Sequence, residues 1–251
     1  MFVRHLSRTV GLCVLTGALL AGLTACRGAI DQTSHPAATT TGPRTDVGAP
    51  RPPSPPATTA GSLSKDNLPP ARLVGPTFTP YAEPDAPEAG LRSNGSSVRE
   101  RDPTELTFGL VPLGCPGVDD VAPLPAPSRA LEQAYRTPKG EAAVALVLEY
   151  ASEAQASRLV GRLVEMLERC VPPASAEVDV SRTVAHVRRL DADTVVDSRY
   201  EVGPGAARTH WDEIIIRHQS RVGLLIVERD PGQPTADQAG LARHFRRLLA
   251  K

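Results

Sequence analysis

The sequence predicts an α+β domain, in which an antiparallel β-sheet carries two amphipathic helices packed on one face. Three observations support this fold class. Apolar residues alternate with period two in several runs, such as Ala143–Tyr150 and Thr194–Val202. Two other runs place apolar residues at helical spacing, each after a capping-box motif. The last four strand-like runs are joined by short links, which favour antiparallel pairing because parallel neighbours need long crossovers.

The first half of the predicted domain contains three strands and one helix. Thr107–Val111 is predicted to be a short strand. Leu131–Thr137 and Ala143–Tyr150 are predicted strands joined by the turn Pro138–Gly140. Ser152-Glu153-Ala154-Gln155 then predicts a helix start. The apolar stripe of this helix comprises Ala156, Leu159, Val160, Leu163, Val164, Leu167 and Cys170.

Four strands and a second helix complete the predicted domain. The strands are Glu177–Leu190, which is long enough to contain a bulge, Thr194–Val202, His210–Gln219 and Val222–Val227. The last two are predicted to be central because both are rich in apolar residues. Thr235-Ala236-Asp237-Gln238 repeats the capping-box pattern. It precedes an apolar stripe formed by Leu241, Ala242, Phe245, Leu248 and Leu249.

The first 25 residues have the features of a lipoprotein signal peptide. Arg4 and Arg8 precede an apolar run from Val10 to Leu23, as in a secretory signal. Leu23-Thr24-Ala25-Cys26 resembles the lipobox of bacterial lipoproteins. The resemblance implies cleavage before Cys26, lipid attachment to its thiol, and a position on the outer face of the cytoplasmic membrane, facing the cell wall. A membrane-spanning anchor and a plain cleaved secretory signal are the alternatives.

Composition divides the chain into three parts. Residues 1–25 are the predicted signal peptide, residues 26–65 a disordered Pro/Thr-rich tether, and residues 66–251 a single domain. The chain has 25 prolines in 251 residues, about twice the ordinary proportion. Many of them lie in the tether, which has almost no large apolar residue to bury. Glycosylation of its Thr/Ser tract is left open.

The charge balance bears on the partners of this protein. Loss of Arg4 and Arg8 with the signal leaves 26 basic and 28 acidic residues. Nucleic-acid-binding proteins carry a basic excess, so no nucleic acid is expected. The predicted partners are the membrane, through the N-terminal lipid, and an unknown small ligand or envelope protein.

Two cysteines remain once Cys13 leaves with the signal and Cys26 accepts the lipid. An isolated pair in an oxidising compartment usually forms a disulfide. Cys115 and Cys170 are therefore predicted to be bridged, which closes a loop of about 55 residues and stabilises the fold by ~4 kcal/mol in the chain-entropy treatment. The absence of a C-x-x-C motif argues against a redox role.

Sequence motifs for catalysis are lacking. We find no G-x-S-x-G, no phosphate-binding loop and no H-E-x-x-H, so no enzyme activity, cofactor or metal is predicted. His210 and His218 share a predicted strand but are about 26 Å apart, too far to bind one metal ion. His186 on a neighbouring strand is the one histidine that approaches either of them, and ordinary packing is the favoured interpretation.

Three residues are candidates for ligand binding. They are Trp211, Arg199 and Arg217, which we expect on the sheet face left open by the helices. Trp211 is the single tryptophan, and aromatic rings stack on ligands as well as pack in cores. The arginines are interleaved with acidic residues, so cross-strand ion pairs are the competing explanation for their presence.

Several motifs carry a resemblance to a known family. They are the run Val144–Tyr150, the helix start Ala154-Gln155-Ala156, the helix-terminal Cys170, and Cys115 in a Cys-Pro-Gly turn. Together they resemble the extracellular sensor domain of mycobacterial PknH-type Ser/Thr kinases and related actinobacterial lipoproteins. The resemblance implies an antiparallel sheet with flanking helices around a ligand-binding cleft. This chain lacks the tryptophan and the second disulfide common in that family, and it has no kinase motif.

The predicted function is that of a lipid-anchored, extracytoplasmic domain that binds a ligand or partner without catalysis. The alternatives are a scaffolding lipoprotein of an envelope complex and an envelope hydrolase or transferase with an unfamiliar motif. A concave apolar cleft would favour ligand binding, and a flat exposed apolar patch would favour a scaffold. A nucleophile and a base converging in a pocket would favour an enzyme.

Overall fold

An antiparallel sheet is the centre of the computed structural model, which describes residues 55–84, 93–110, 123–170, 182–202, 209–230 and 237–251. Across these ranges the sheet has eight strands in the order β1-β3-β4-β8-β7-β6-β5, and β2 pairs with the same outer edge of β3 as β1. The antiparallel α+β fold predicted from the sequence is confirmed. The strands are β1 (Thr79–Pro80), β2 (Val98–Glu100), β3 (Arg129–Arg136), β4 (Ala142–Glu149), β5 (Arg182–Asp191), β6 (Thr194–Val202), β7 (His210–His218) and β8 (Arg221–Arg229).

The predicted central position of β7 and β8 is confirmed, since β8 lies between β4 and β7. The predicted bulge in β5 is also present, as a register shift between Arg189 and Asp191 where β5 pairs with β6. The prediction of a strand at Thr107–Val111 is wrong. This stretch enters a helix because the Asp102 carboxylate caps the backbone N–H of Thr104 at 2.7 Å, and the proline after Asp102 suits a first helical position.

Four α-helices accompany the sheet within the described residues, besides a short 3₁₀-helix at Lys65–Asn67. They are α1 (Ala71–Val74), α2 (Pro103–Gly109), α3 (Glu153–Glu168) and α4 (Gln238–Leu249). Ser152 caps α3 as predicted, with its side chain accepting from the Gln155 backbone N–H. The cap of α4 differs from the prediction, because the Asp237 side chain, rather than that of Thr235, accepts from the Gly240 N–H. Thr235 itself lies outside the described residues.

The two long helices cover opposite faces of the sheet, so the prediction that both pack on one face is wrong. Successive side chains of a strand point to opposite faces. Ile215 belongs to the apolar cluster that contains the stripe of α3. Its neighbours Ile214 and Ile216 belong to the cluster that contains the stripe of α4. Strands that are apolar on both faces require cover on both sides. We call these two surfaces the α3 face and the α4 face.

The folded domain begins before residue 66, where the sequence placed its start. Ala60 and Leu63 are fully buried in the cluster of the α4 face, and their backbones bond each other at 3.0 Å in both directions. Asn67 donates to the Leu248 carbonyl at 3.1 Å, which ties this region to the end of α4. Residues 55–84, here the N-terminal segment, therefore form part of the packing on the α4 face.

Candidate functional site

A concave pocket lies on the α4 face between the start of α4, strands β7 and β8, and the N-terminal segment. We call it the α4 pocket, and its volume is about 340 Å³. This lies in the range of small-molecule sites, roughly 300–1,000 Å³. Much of its wall is apolar because α1 ends in the Gly75-Pro76 turn and presents Phe78 towards the sheet. Its lining residues are Val74, Gly75, Pro76, Thr77, Phe78, Glu141, Asp212, Ile214, Val227, Glu228, Arg229, Gln238 and Leu241.

The charges around the α4 pocket are mainly negative. Three carboxylates and one guanidinium line it. The Asp212 carboxylate forms an ion pair with Arg229 at 3.0 Å and accepts from the Ser198 hydroxyl at 2.7 Å. Glu228 accepts a hydrogen bond from the backbone of Ala142 at 3.0 Å. The one cation is thus already paired, and the net charge of the lining opposes an anionic ligand.

Gln238 lies at the edge of this lining and carries a buried hydrogen-bond donor. The residue is 7% exposed, and its side-chain Oε1 accepts from Arg188 at 3.2 Å. Since arginine can only donate, this bond fixes which side of the amide is oxygen. The other side, Nε2, is buried and has no hydrogen-bond partner among the described residues. A buried donor without a partner is energetically costly, typically by about 1–3 kcal/mol.

The three residues that the sequence singled out for ligand binding lie elsewhere. Arg199 and Trp211 are directly opposite each other on β6 and β7. Arg217 is six residues further along β7, about 20 Å away. It binds Glu153 at 2.7 Å and also pairs with Asp193.

All three candidates belong to the α3 face by strand alternation, and none of them lines the α4 pocket. The expectation that the helices leave that face open is wrong, because α3 packs on it. The competing explanation, ion pairing of the arginines, describes Arg199 and Arg217. A ligand-binding role for the three residues stays a prediction.

Arg199 belongs to a buried acidic cluster with Asp197 and Glu213. Its guanidinium lies 3.2 Å from Asp197 and 2.8 Å from Glu213, and the Asp197 side chain is 0% exposed. Burial away from water, followed by repulsion from Glu213, raises the pKa of Asp197 to about 9. Asp197 is therefore protonated at neutral pH. None of these three residues lines the α4 pocket.

The histidines that we considered as a metal or catalytic pair are separated by a tyrosine. Tyr200 stacks on His186 with ring centroids 5.8 Å apart and on His210 with centroids 5.6 Å apart. The two imidazoles are thus on either side of one phenol ring, as expected for packed strand residues. Across the described residues, no cluster of three or more His, Cys, Asp or Glu side chains is arranged to hold a metal ion.

A second concavity, here the basic groove, lies where the N-terminal segment and β2 meet the end of α4. Its volume is about 580 Å³, and its rim includes Lys65, Arg72 and Lys251. Partial burial and then repulsion from Arg247, Arg72 and Lys251 lower the pKa of His244 in this groove. Its cationic side chains are exposed, so water and salt screen their attraction for an anion. The α4 pocket is the better-built candidate site.

One catalytic spacing escaped the sequence analysis. Ser62 and Lys65 stand in an S-x-x-K arrangement, which in some acyl-transfer enzymes supplies a nucleophile. Here the Ser62 hydroxyl donates to Glu149 at 2.7 Å and accepts from Arg221 at 3.2 Å. These contacts place Ser62 in an exposed network with the Glu149–Arg221 ion pair, away from the α4 pocket.

Cys26, the predicted site of lipid attachment, and Cys115, one of the two predicted disulfide cysteines, lie outside the described residues. Cys170 follows α3, is fully buried, and its carbonyl accepts from the Ala185 N–H at 2.8 Å. No helix among the described ranges has both the length and the hydrophobicity required to cross a bilayer.

Comparison with known proteins yields little similarity. No protein-family profile and no curated protein match this chain. Among solved structures, the extracellular domain of PknH from Mycobacterium tuberculosis matches with a TM-score of 0.38 and 10% sequence identity. The match covers 49% of this chain and 64% of that chain. This neighbour belongs to the family that the sequence motifs resemble, but a likeness of this size establishes neither a common fold nor a common function.

Proposed function

We propose that this protein is a lipid-anchored, extracytoplasmic domain that binds a small, mostly apolar ligand in the α4 pocket and performs no catalysis. The observation that carries the proposal is the pocket itself. It combines an apolar wall, a volume of about 340 Å³ and a few convergent polar groups, which is the usual composition of a small-molecule site.

The same pocket favours a ligand binder over the two alternatives. A scaffold that docks on a protein needs a broad exposed apolar surface, whereas this surface is concave. An envelope hydrolase or transferase needs a nucleophile with a base beside it. Among the described residues, the lining has no serine, cysteine, lysine or histidine, and two of its carboxylates, Asp212 and Glu228, are engaged by Arg229 and by the Ala142 N–H.

The membrane location and the disulfide form part of the proposal. They rest on the signal and lipobox pattern that ends at Cys26 and on the isolated pair Cys115 and Cys170. Mass spectrometry of the N-terminal peptide tests the anchor, and we expect a diacylglyceryl group on Cys26. An intact N-terminus at Met1 would contradict it. Peptide mapping without reductant tests the Cys115–Cys170 bridge.

The decisive experiment on ligand binding fills the pocket from a strand. Val227 is half-buried and lines the α4 pocket, so Val227→Phe places a ring in the ligand space. Thermal shift of the full chain against fractionated envelope lipids and neutral apolar compounds should give a saturable stabilisation for the wild type. A hundredfold excess over the dissociation constant corresponds to about 2.7 kcal/mol. Val227→Phe should abolish this stabilisation.

The matched control is Ile226→Phe. Ile226 is the preceding residue of β8, is also half-buried, and points to the opposite face. It should retain the ligand-induced stabilisation. A panel that never stabilises the wild type, or stabilisation that survives Val227→Phe, would refute binding in this pocket.

A further inference from the structure

The basic groove continues onto the exposed side of α4, which is also positively charged. From Gln238 to Lys251 the sequence has three arginines, one lysine and no acidic residue. Lys65 and Arg72 of the N-terminal segment bring two further cations to the groove. We infer that this surface docks the domain on an anionic phospholipid membrane, with the basic groove facing the lipid headgroups. The inference rests on the lipid anchor of the proposed function, which would hold the domain near a membrane.

The cations of this surface come from two separate pieces of chain and gather around His244. After partial burial, the repulsion that lowers the pKa of His244 comes from Arg247, Arg72 and Lys251. Cations in the last turn of a helix are favourable for its dipole, which accounts for those of α4. The dipole does not account for Lys65 and Arg72, which belong to the N-terminal segment. Their convergence with the end of α4 creates a local positive field.

The cations of this surface are also free of ion pairs. Asp66 is the acidic side chain among the described residues that line the basic groove. On α3, by contrast, Glu165 pairs with Arg162 at 2.6 Å and with Arg169 at 3.0 Å. Five exposed cations of the docking surface have no acidic side chain within ion-pair distance among the described residues: Lys65, Arg72, Arg243, Arg247 and Lys251.

An extended anionic surface suits these charges better than a single small anion does. Water and salt screen exposed cations, so each of them attracts one anion only weakly. A membrane presents many phosphates at once, and the contributions of several cations then add. Each lysine or arginine near an anionic membrane strengthens binding by about fivefold. Charge complementarity therefore favours a lipid surface as the partner.

The chain enters the domain beside this groove. The Ala57 carbonyl accepts from the Glu100 N–H of β2 at 2.6 Å, and Val98 of the same strand lines the groove. Cys26, the proposed site of lipid attachment, precedes residue 55 by 29 residues, which span at most about 100 Å when fully extended. A lipid on Cys26 would thus keep the groove within reach of the membrane surface.

Vesicle sedimentation tests the docking surface without the anchor. The chain is taken from residue 26 with Cys26→Ser, which removes the lipid and leaves the compact unit of residues 50–251 whole. The vesicles contain phosphatidylcholine alone or with about one third phosphatidylglycerol. We expect binding to the anionic vesicles, weakened at least about tenfold when salt is raised from about 0.05 M to about 0.5 M. Equal binding to both kinds of vesicle would overturn the proposal.

A triple variant removes three cations from the groove. In Lys65→Gln, Arg72→Gln, Lys251→Gln, binding to anionic vesicles should weaken by on the order of a hundredfold, because three fivefold contributions are lost. All three side chains are exposed, so the melting temperature should stay close to that of the wild type.

The matched control removes the same charge from exposed positions elsewhere, as Lys139→Gln, Arg158→Gln, Arg189→Gln. It should bind anionic vesicles as the wild type does. Equal weakening of the two triple variants would show that net charge drives binding and would overturn the docking surface. Saturable thermal stabilisation by glycerol phosphate, lost in the groove variant, would make the groove a small-anion site instead. Absence of vesicle binding refutes the docking alone, since the mass of the N-terminal peptide decides the anchor separately.

Discussion

The two faces of this sheet are covered in different ways. On the α3 face, a helix of 16 residues packs its buried stripe against strands β5, β7 and β8, and Leu106, Leu110 and Leu124 extend the same apolar cluster. On the α4 face, the helix has 12 residues, and the N-terminal segment supplies the remaining cover. At about 1.5 Å per residue, the shorter helix is about 6 Å shorter. The α4 pocket lies where the two covering pieces meet.

This difference separates packing from binding within one domain. The stripe of α3 is continuous, so the α3 face provides stability. The α4 face is assembled from two pieces of chain that are far apart in sequence, and their junction leaves the α4 pocket. The polar groups that interrupt the apolar core of the α3 face, Asp197 and Glu213, lie against the Arg199 guanidinium at 3.2 and 2.8 Å.

The largest expected effect compares one leucine from each helix. Leu159 of α3 is 0% exposed, whereas Leu241 of α4 is 8% exposed and lines the pocket. Leu159→Ala should lower the free energy of unfolding by about 2–5 kcal/mol, because it opens a cavity in a closed core. Leu241→Ala should cost about half as much, because the lost methyl groups border a space that already exists. Urea denaturation measures both, and equal losses would contradict the contrast between the faces.

Strand and helix identity was predictable where periodicity was strong. The runs that became β3, β4, β6, β7 and β8 and the stripes of α3 and α4 were placed correctly within a few residues. The sheet face on which α4 packs was not predictable. An amphipathic stripe shows that a helix has a buried side, but it does not show which face of the sheet that side contacts. The isoleucine run Ile214–Ile216 carried the missing information, since it needs cover on both sides.

The candidate site was beyond sequence reasoning for a different reason. Part of its wall comes from residues 74–78, which lie within the predicted domain but carry no periodic apolar pattern that would assign them to a helix or strand. Gln238 looked like part of a capping box. The orientation of its side-chain amide is set by Arg188, which is 50 residues away in sequence. Neither fact has a local sequence signal.

A smaller loss of stability is expected from a substitution where α4 packs against the sheet. A Cβ atom added to Gly223 of β8 would lie 2.8 Å from the ring of Phe245 and 3.2 Å from Leu249. Gly223→Ala should therefore destabilise the domain by about 1–3 kcal/mol through overpacking. Thermal and urea unfolding measure the loss, and a stability equal to that of the wild type would show that α4 can move away from β8 without cost.

The control for this substitution lies in the other helix. Gly161 is an exposed position inside α3, and a Cβ atom there would meet nothing within 4 Å. Gly161→Ala should stabilise the domain by about 0.5–1 kcal/mol, because alanine loses less backbone entropy in a helix. Opposite signs for the two glycine substitutions would confirm that the added methyl group acts through local packing.

A pH-dependent effect of about 1 kcal/mol is expected from the buried acid of the α3 face. Because the pKa of Asp197 is raised to about 9, from 3.8 as its ordinary value, the folded state holds a proton that the unfolded state releases. Its contribution to stability is full below about pH 4 and is lost as the pH rises towards 9. Between pH 7 and pH 8 the wild type should lose about 1 kcal/mol more than Asp197→Asn, whose amide has no proton to release in this range. Urea unfolding at both pH values measures the difference. Asp230→Asn, at an exposed carboxylate, should keep the wild-type slope, and the same slope in Asp197→Asn would show that Asp197 holds no proton in the folded domain.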